Sequence, residues 1–250
     1  LKIGIIGHGM VGSTLSQWLT VNTHHEIKIR DTKKEKQDSF DDIQASFICI
    51  PINNSYGDQD HSQLQDAITF SRFYTDKVFI RSTVLPGTND KLKTISMPEF
   101  FTARTCHEDM KKLPIICGDT ELDFIKEIFP EKEIIMMKNK ECELAKYCHN
   151  LFGAMKVTYF NMVYKLAEEN ECSFDQIKHA MFQTGFIEKT HTQVPGPDGQ
   201  FGFGGACFPD NIETFAYYLR SNKFSFEHYF FNSIKNLNKI YRNKITIGDL

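Results

Sequence analysis

The stretch that decides the fold is 2–12, KIGIIGHGMVG. Its first half is short, rich in Ile and closed by glycine, the pattern of a buried strand. Its second half, GHGMVG, follows at once and opens an amphipathic helical segment. Glycines in this order allow a tight turn between strand and helix. They also let backbone N–H groups approach a pyrophosphate at the positive end of the helix. The candidate cofactor contacts are therefore Gly7, Gly9, Met10, Val11 and Gly12. Asp31, 19 residues after Gly12, ends the next expected strand at 26–31 (EIKIRD). A carboxylate there accepts hydrogen bonds from an adenosine ribose, which favours NAD, although Lys33 and Lys34 leave room for NADP.

Working outward, residues 46–51, 77–82, 93–97 and 114–118 read as further buried strands alternating with helical stretches. That alternation implies a mostly parallel sheet with right-handed crossovers. The gap from Asp31 to Ser46 is too short for a full crossover helix plus another strand. The expectation for 1–138 is an α/β unit, a trimmed Rossmann-type domain. Ligands of such sheets lie beyond the carboxyl ends of the strands. Pro51, Ser82, Thr83 (in STVLPG) and Glu99 (in MPEFF) stand at those ends.

Residues 139–250 read as an all-helical domain. From Glu141 to about Asn170 there is no proline and one glycine, and apolar residues fall on every side. A helix apolar all round must be covered all round, which predicts a homodimer built on it. On such a helix Lys146 and Asn150, one turn apart, need polar partners. Ser173 and Gln176 form a capping box for the next helix. A Gly/Pro-rich loop at 194–205 follows, then helices at 210–221 and 225–242. Cys207 lies between that loop and a helix. Thiols at helix N-termini are acidified and nucleophilic.

Composition narrows the classes. The 250 residues are 41% hydrophobic and 24% charged, as in globular chains, which excludes disorder. The net charge of −3 lacks the basic excess of a nucleic-acid binder. No apolar run nears the roughly 18 residues that span a bilayer. Seven scattered cysteines without a CxxC pair suggest neither a metal site nor a disulfide framework, so a cytoplasmic protein is expected.

Taken in order from residue 2 to about 221, GHGMVG, STVLPGT, MPEF, ELAKYCHNLFGAMKV and PGPDGQFGFGGACFP resemble the nucleotide-sugar dehydrogenases. This is the family of UDP-glucose 6-dehydrogenase and GDP-mannose dehydrogenase. The resemblance implies oxidation of a nucleotide sugar, a UDP-hexose first, from primary alcohol to uronic acid by two hydride transfers to NAD. It makes Cys207 the nucleophile of a thiohemiacetal and then a thioester, with Lys146 and Asn150 stabilising oxyanions and positioning water. Thr83 and Glu99 would flank that water. Phe100, Phe101, Lys146, Asn150, Phe201, Gly202 and Gly204 would contact the sugar, and the long helix would form the dimer core.

The chain departs from the pattern in three places. The family's nucleophile motif continues Cys-Phe-Pro-Lys-Asp, whereas Asp210 and Asn211 stand here. An amide cannot take a proton, so Asn211 predicts slow thioester release unless Asp210 supplies the base. Ala103 replaces a second glutamate. The family's third, nucleotide-gripping domain is missing from a sequence that starts at Leu1, so an incomplete natural product is expected. Two other readings remain: a catalytically impaired, NAD-binding dimeric paralogue or fragment, and a β-hydroxyacid dehydrogenase. The latter would leave GFGGACF without a purpose.

Overall fold

A computed structural model describes residues 1–243. The chain forms two compact units, Leu1–Ser55 with Gln59–Tyr147, and Tyr56–Asp58 with the chain from Cys148 onward. In the first unit the elements are β1 (Lys2–Ile6), α1 (Met10–Asn22), β2 (Glu26–Asp31), β3 (Lys36–Gln37) and β4 (Ala45–Ile48). A hairpin of β5 (Asn53–Ser55) and β6 (Asp58–Asp60) follows, then α2 (Ser62–Arg72), β7 (Val78–Ile80), α3 (Thr88–Leu92) and β8 (Ile95–Ser96). Next come α4 (Cys106–Lys112), β9 (Ile115–Cys117), α5 (Leu122–Ile128) and β10 (Ile134–Met136).

The main sheet runs β3-β2-β1-β4-β7-β8. Every pair is parallel except β2 with β3. After Asp31 a 3₁₀ turn at Thr32–Lys34 and Glu35 at φ 53° reverse the chain, and two antiparallel residues stand where a longer fold has a strand and helix. The chain then crosses to the far side of β1 as β4. This is the trimming that the short Asp31–Ser46 gap predicts.

Side chains alternate between two covered faces. Ile3, Ile5, Phe47 and Phe79 meet Leu15, Trp18 and Leu19 of α1 and Phe129 on one side. Ile6, Ile48, Val78 and Ile80 meet Leu64 and Ile68 of α2 on the other. Phe47 stacks on Phe79 at 4.9 Å, and each fully buried ring of this kind contributes about 1.5–3 kcal/mol.

Several expectations need correcting. The strand at 46–51 ends at Ile48, that at 77–82 covers only Val78–Ile80, and that at 93–97 shrinks to Ile95–Ser96 because Lys93, at φ 53°, is still turning. The 114–118 strand does not join the main sheet. It pairs with β10, which the sequence reading missed, in a separate two-stranded parallel sheet. The hairpin β5–β6 was also missed. Gly57 at its tip adopts φ 92°, and a Cβ there would lie 2.5 Å from Cβ of Tyr217.

The helical region contains α6 (Asn139–Glu169), α7 (Phe174–Gln183), α8 (Cys207–Ser221) and α9 (Ser225–Tyr241). The compact units change over inside α6 rather than at its start, because Cys142, Glu143 and Tyr147 are buried in the first unit. In the second unit Gly153 lets α8 approach α6 closely, since a Cβ there would be 2.5 Å from the Phe208 ring. Ser173 caps α7 by accepting from the Gln176 N–H at 3.3 Å. Helix α8 begins three residues earlier than expected, with Cys207 as its first residue.

Candidate active site

The glycine turn is built as its spacing requires. Gly7 sits at φ 87°, a conformation open to glycine at little cost. A side chain at Gly12 would collide with the Gly7 carbonyl, whereas nothing lies within 4 Å of a Cβ at Gly9. Gly9 caps α1 and, lacking a side chain, offers no cap bond to the helix's first N–H groups. Asp31 stands beside this turn. Its Oδ2 accepts from the His8 N–H at 2.6 Å, and its Oδ1 from Lys33 and Lys34 N–H at 2.9 and 3.1 Å. These bonds, the one from His8 foremost, hold its carboxyl below the usual carboxylate range. Burial, then Lys36 and Lys34, hold the His8 imidazole below its usual range. Met10 is exposed and Val11 half-buried at the start of α1, and Pro51 is exposed beyond β4. Ser82 donates its hydroxyl proton to the Ile50 carbonyl. An open glycine, a helix N-terminus without a side-chain cap and an ionised carboxylate fit a dinucleotide's pyrophosphate and ribose.

At the strand ends the first unit buries an ion pair. Glu99, just past β8, accepts from Lys146 Nζ at 3.1 Å, and the side chains are only 7% and 4% exposed. Its other oxygen accepts from the Phe101 N–H at 2.7 Å, and the ammonium lies 5.4 Å from the Phe100 ring centre. Phe101 has the Arg81 guanidinium 5.7 Å from its own centre. The sequence reading missed Arg81, whose buried Nε and Nη1 find no hydrogen-bond partner among the described residues. Burial holds this guanidinium below its usual range.

The Thr83 turn is clamped from two sides. Gln59, also missed, donates to the Thr83 carbonyl and to Tyr147 Oη at 3.1 Å each, and accepts from the Leu85 N–H at 3.0 Å. Glu143 on α6 accepts from the N–H groups of Gly87 and Asn89. Burial raises its carboxyl despite those bonds.

In the second unit, buried Asn150 donates from Nδ2 to Oδ1 of buried Asn211 at 2.6 Å. Asn211 donates in turn to Oδ2 of Asp210 at 3.1 Å. Cys207 is exposed, whereas burial pushes the Cys49 and Cys142 thiols up to about 12. The loop before Cys207 is held by side chains that carried no sequence signal. Asn161 accepts from the Gly202 N–H at 2.8 Å, and Asn238 accepts from Phe203 N–H at 2.7 Å while donating to its carbonyl at 3.0 Å. Arg242 pairs with Asp198 at 2.9 Å and leaves no room for a side chain at Gly204. Phe201 is exposed, with its ring centre 5.4 Å from that of Tyr164. Among the described residues no group of His, Cys, Asp and Glu could hold a metal ion. No helix among them is long and apolar enough to cross a membrane.

Sheet order, glycine turn and long helix together define the class: an open, mostly parallel α/β unit followed by a helical one. Residues 140–240 match the model of the central domain of the UDP-glucose/GDP-mannose dehydrogenase family. It is 25% identical over 272 residues to a putative UDP-glucose 6-dehydrogenase of Bacillus subtilis, covering 86% of this chain and 62% of the relative. GDP-mannose 6-dehydrogenase of Pseudomonas aeruginosa is 26% identical over 228 residues, covering 79% of this chain and 51% of the relative. The fold is shared with a UDP-glucose dehydrogenase of Pyrobaculum islandicum, with a TM-score of 0.81 at 19% identity over 96% of this chain and 68% of that one. The chain thus spans between half and two thirds of the length of these relatives.

Proposed function

We propose that this chain oxidises the primary alcohol of a nucleotide sugar, a UDP-hexose first, to the uronic acid, with NAD as cofactor and Cys207 as nucleophile. The observation that carries the reading is one run of bonds on the turn of α8 that begins at Cys207. The residues three and four places after it, Asp210 and Asn211, are bonded to each other, and Asn211 to Asn150, one helical turn beyond Lys146. Such a run has a use where a thiol forms an acyl intermediate that a nearby base must release. The match of residues 140–240 to the central domain of the UDP-glucose/GDP-mannose dehydrogenase family supports the same reaction.

NAD, when bound, supplies the hydride acceptor for both oxidation steps. Gly7, Gly9, Met10, Val11 and Gly12 would hold its pyrophosphate, Asp31 its ribose, and Pro51, Ser82 and Thr83 would line its site. Cys207 adds through sulfur to the aldehyde from the first oxidation, giving a thiohemiacetal that the second oxidation converts to a thioester. Lys146 donates to the developing oxyanion from a dry site, where a fixed charge acts most strongly. Glu99 keeps that ammonium in place, and Asn150 adds a neutral donor. Phe100, Phe101, Phe201, Gly202 and Gly204 would contact the sugar. The exposed Phe152, Tyr159, Met162 and Leu166 on α6 support a homodimer through that helix.

The test is nicotinamide absorbance on mixing the chain with NAD and a panel of UDP- and GDP-linked hexoses. One of them should yield NADH, and Cys207→Ser should abolish net acid formation. Silence across the panel would overturn the reading in favour of an NAD-binding protein without turnover.

A further inference from the structure

We propose that Asp210 is the general base that releases the acid from Cys207, with Asn211 as the positioning residue for its carboxylate. This rests on the reading of Cys207 given above. Asp210 and Asn211 follow Cys207 by three and four residues in α8, the two spacings that set side chains beside one another on a helix. Asn211 cannot take the proton: it is an amide, its oxygen is engaged by Asn150 and its nitrogen donates to Asp210. Its two bonds also show what it is suited to. The oxygen gives buried Asn150 an acceptor, and the nitrogen gives Asp210 a donor, so one amide satisfies both neighbours.

An aspartate at 211 would set two carboxylates in contact, and one of them would have to be protonated. Residues 210 and 211 are therefore complementary as they stand. The carboxylate is one position nearer to Cys207 along the helix, with the residue behind it adapted to hold it. In the step itself, a water oxygen bonds to the acyl carbon while one water proton passes to the Asp210 carboxylate. The carbon–sulfur bond then breaks, and Cys207 leaves as the thiolate with its electron pair. The free acid departs, and nothing is oxidised or reduced in this half of the reaction.

The experiment follows NADH and the intact mass of the chain after mixing with NAD and the nucleotide sugar that it oxidises. In the wild-type chain turnover should continue without a Cys207 adduct. Asp210→Asn should keep the first-turnover burst, which also reports that the variant is folded. It should slow the steady state by about 10²–10⁴ and accumulate the sugar-acyl mass on Cys207. The exchange D210N/N211D should regain turnover, and Asn211→Asp alone should not speed release.

Asp210→Asn turning over within about twofold of wild type, with an unmodified cysteine, overturns the proposal. So does faster release in Asn211→Asp. If Asp210→Asn loses its burst, Asp210→Ser takes its place: a burst with slow release supports the base, and a burst with release within about twofold of wild type overturns it. Absence of a burst in the wild-type chain with every sugar defeats the reaction as a whole and this step with it. A wild-type burst with a full-speed Asp210→Asn defeats the base alone.

Discussion

Two polar side chains on α6, one turn apart and equally buried, are satisfied in opposite ways. Lys146 meets a carboxylate, Glu99, in the first unit, while Asn150 meets another amide, Asn211, in the second. The charged pair has given up the hydration of two ions, several kcal/mol for each, and is held by its mutual attraction and by the Phe101 N–H. The neutral pair has given up far less and gains correspondingly little. Burial alone does not fix what a change will cost; the charge left behind does.

The sharpest break of this comparison is Lys146→Met. It strands a buried carboxylate and should lower stability by about 3–5 kcal/mol in urea unfolding, with most of that regained by adding Glu99→Leu. If the single variant loses no more than a neutral one would, the pair is wetter than its burial indicates.

Asn150→Leu leaves Oδ1 of Asn211 without its donor and should cost about 1–3 kcal/mol in the same assay. A loss equal to that of Lys146→Met would remove the distinction between the two turns.

The smallest effect is expected at Asp31, a charge held at the surface by backbone donors. Its carboxyl is depressed in the folded chain, so its contribution is complete above the ordinary carboxylate pKa and fades as pH falls through the lower folded value. Thermal unfolding between about pH 5 and 2 should show this slope, and Asp31→Asn should flatten it.

How much of this could be read from the residues depends on the distance between partners. The glycine turn was legible because β1, Gly7, Gly9 and Gly12 are contiguous and each obeys a local steric rule. Asp31 follows from one strand length. The long helix announced itself by the absence of proline over thirty residues, and the need of Lys146 and Asn150 for polar partners followed from their apolar surroundings. The partners themselves did not follow: Glu99 and Lys146 are separated by 47 residues and Asn150 and Asn211 by 61, with no local signal linking them. Strands β5, β6 and β10 have three residues each, too few to show a period, and NNSYGDQD reads as a polar loop. Gln59 was invisible for the same reason, because its value lies in two bonds to a turn more than twenty residues away and one to Tyr147 on the long helix.

The hairpin carries a consequence for how such a chain could have been assembled. Residues 56–58 count with the second unit, although the residues on either side count with the first. Gly57 fills a notch in α8 against the Glu213 carbonyl and Tyr217 that no side chain could enter. Neither unit is therefore a continuous cassette. A gene fragment starting at Cys148 would lack the three residues that occupy that notch. Chimaeras joined only at the long helix are expected to leave that notch open unless the three-residue tip travels with the helix that receives it.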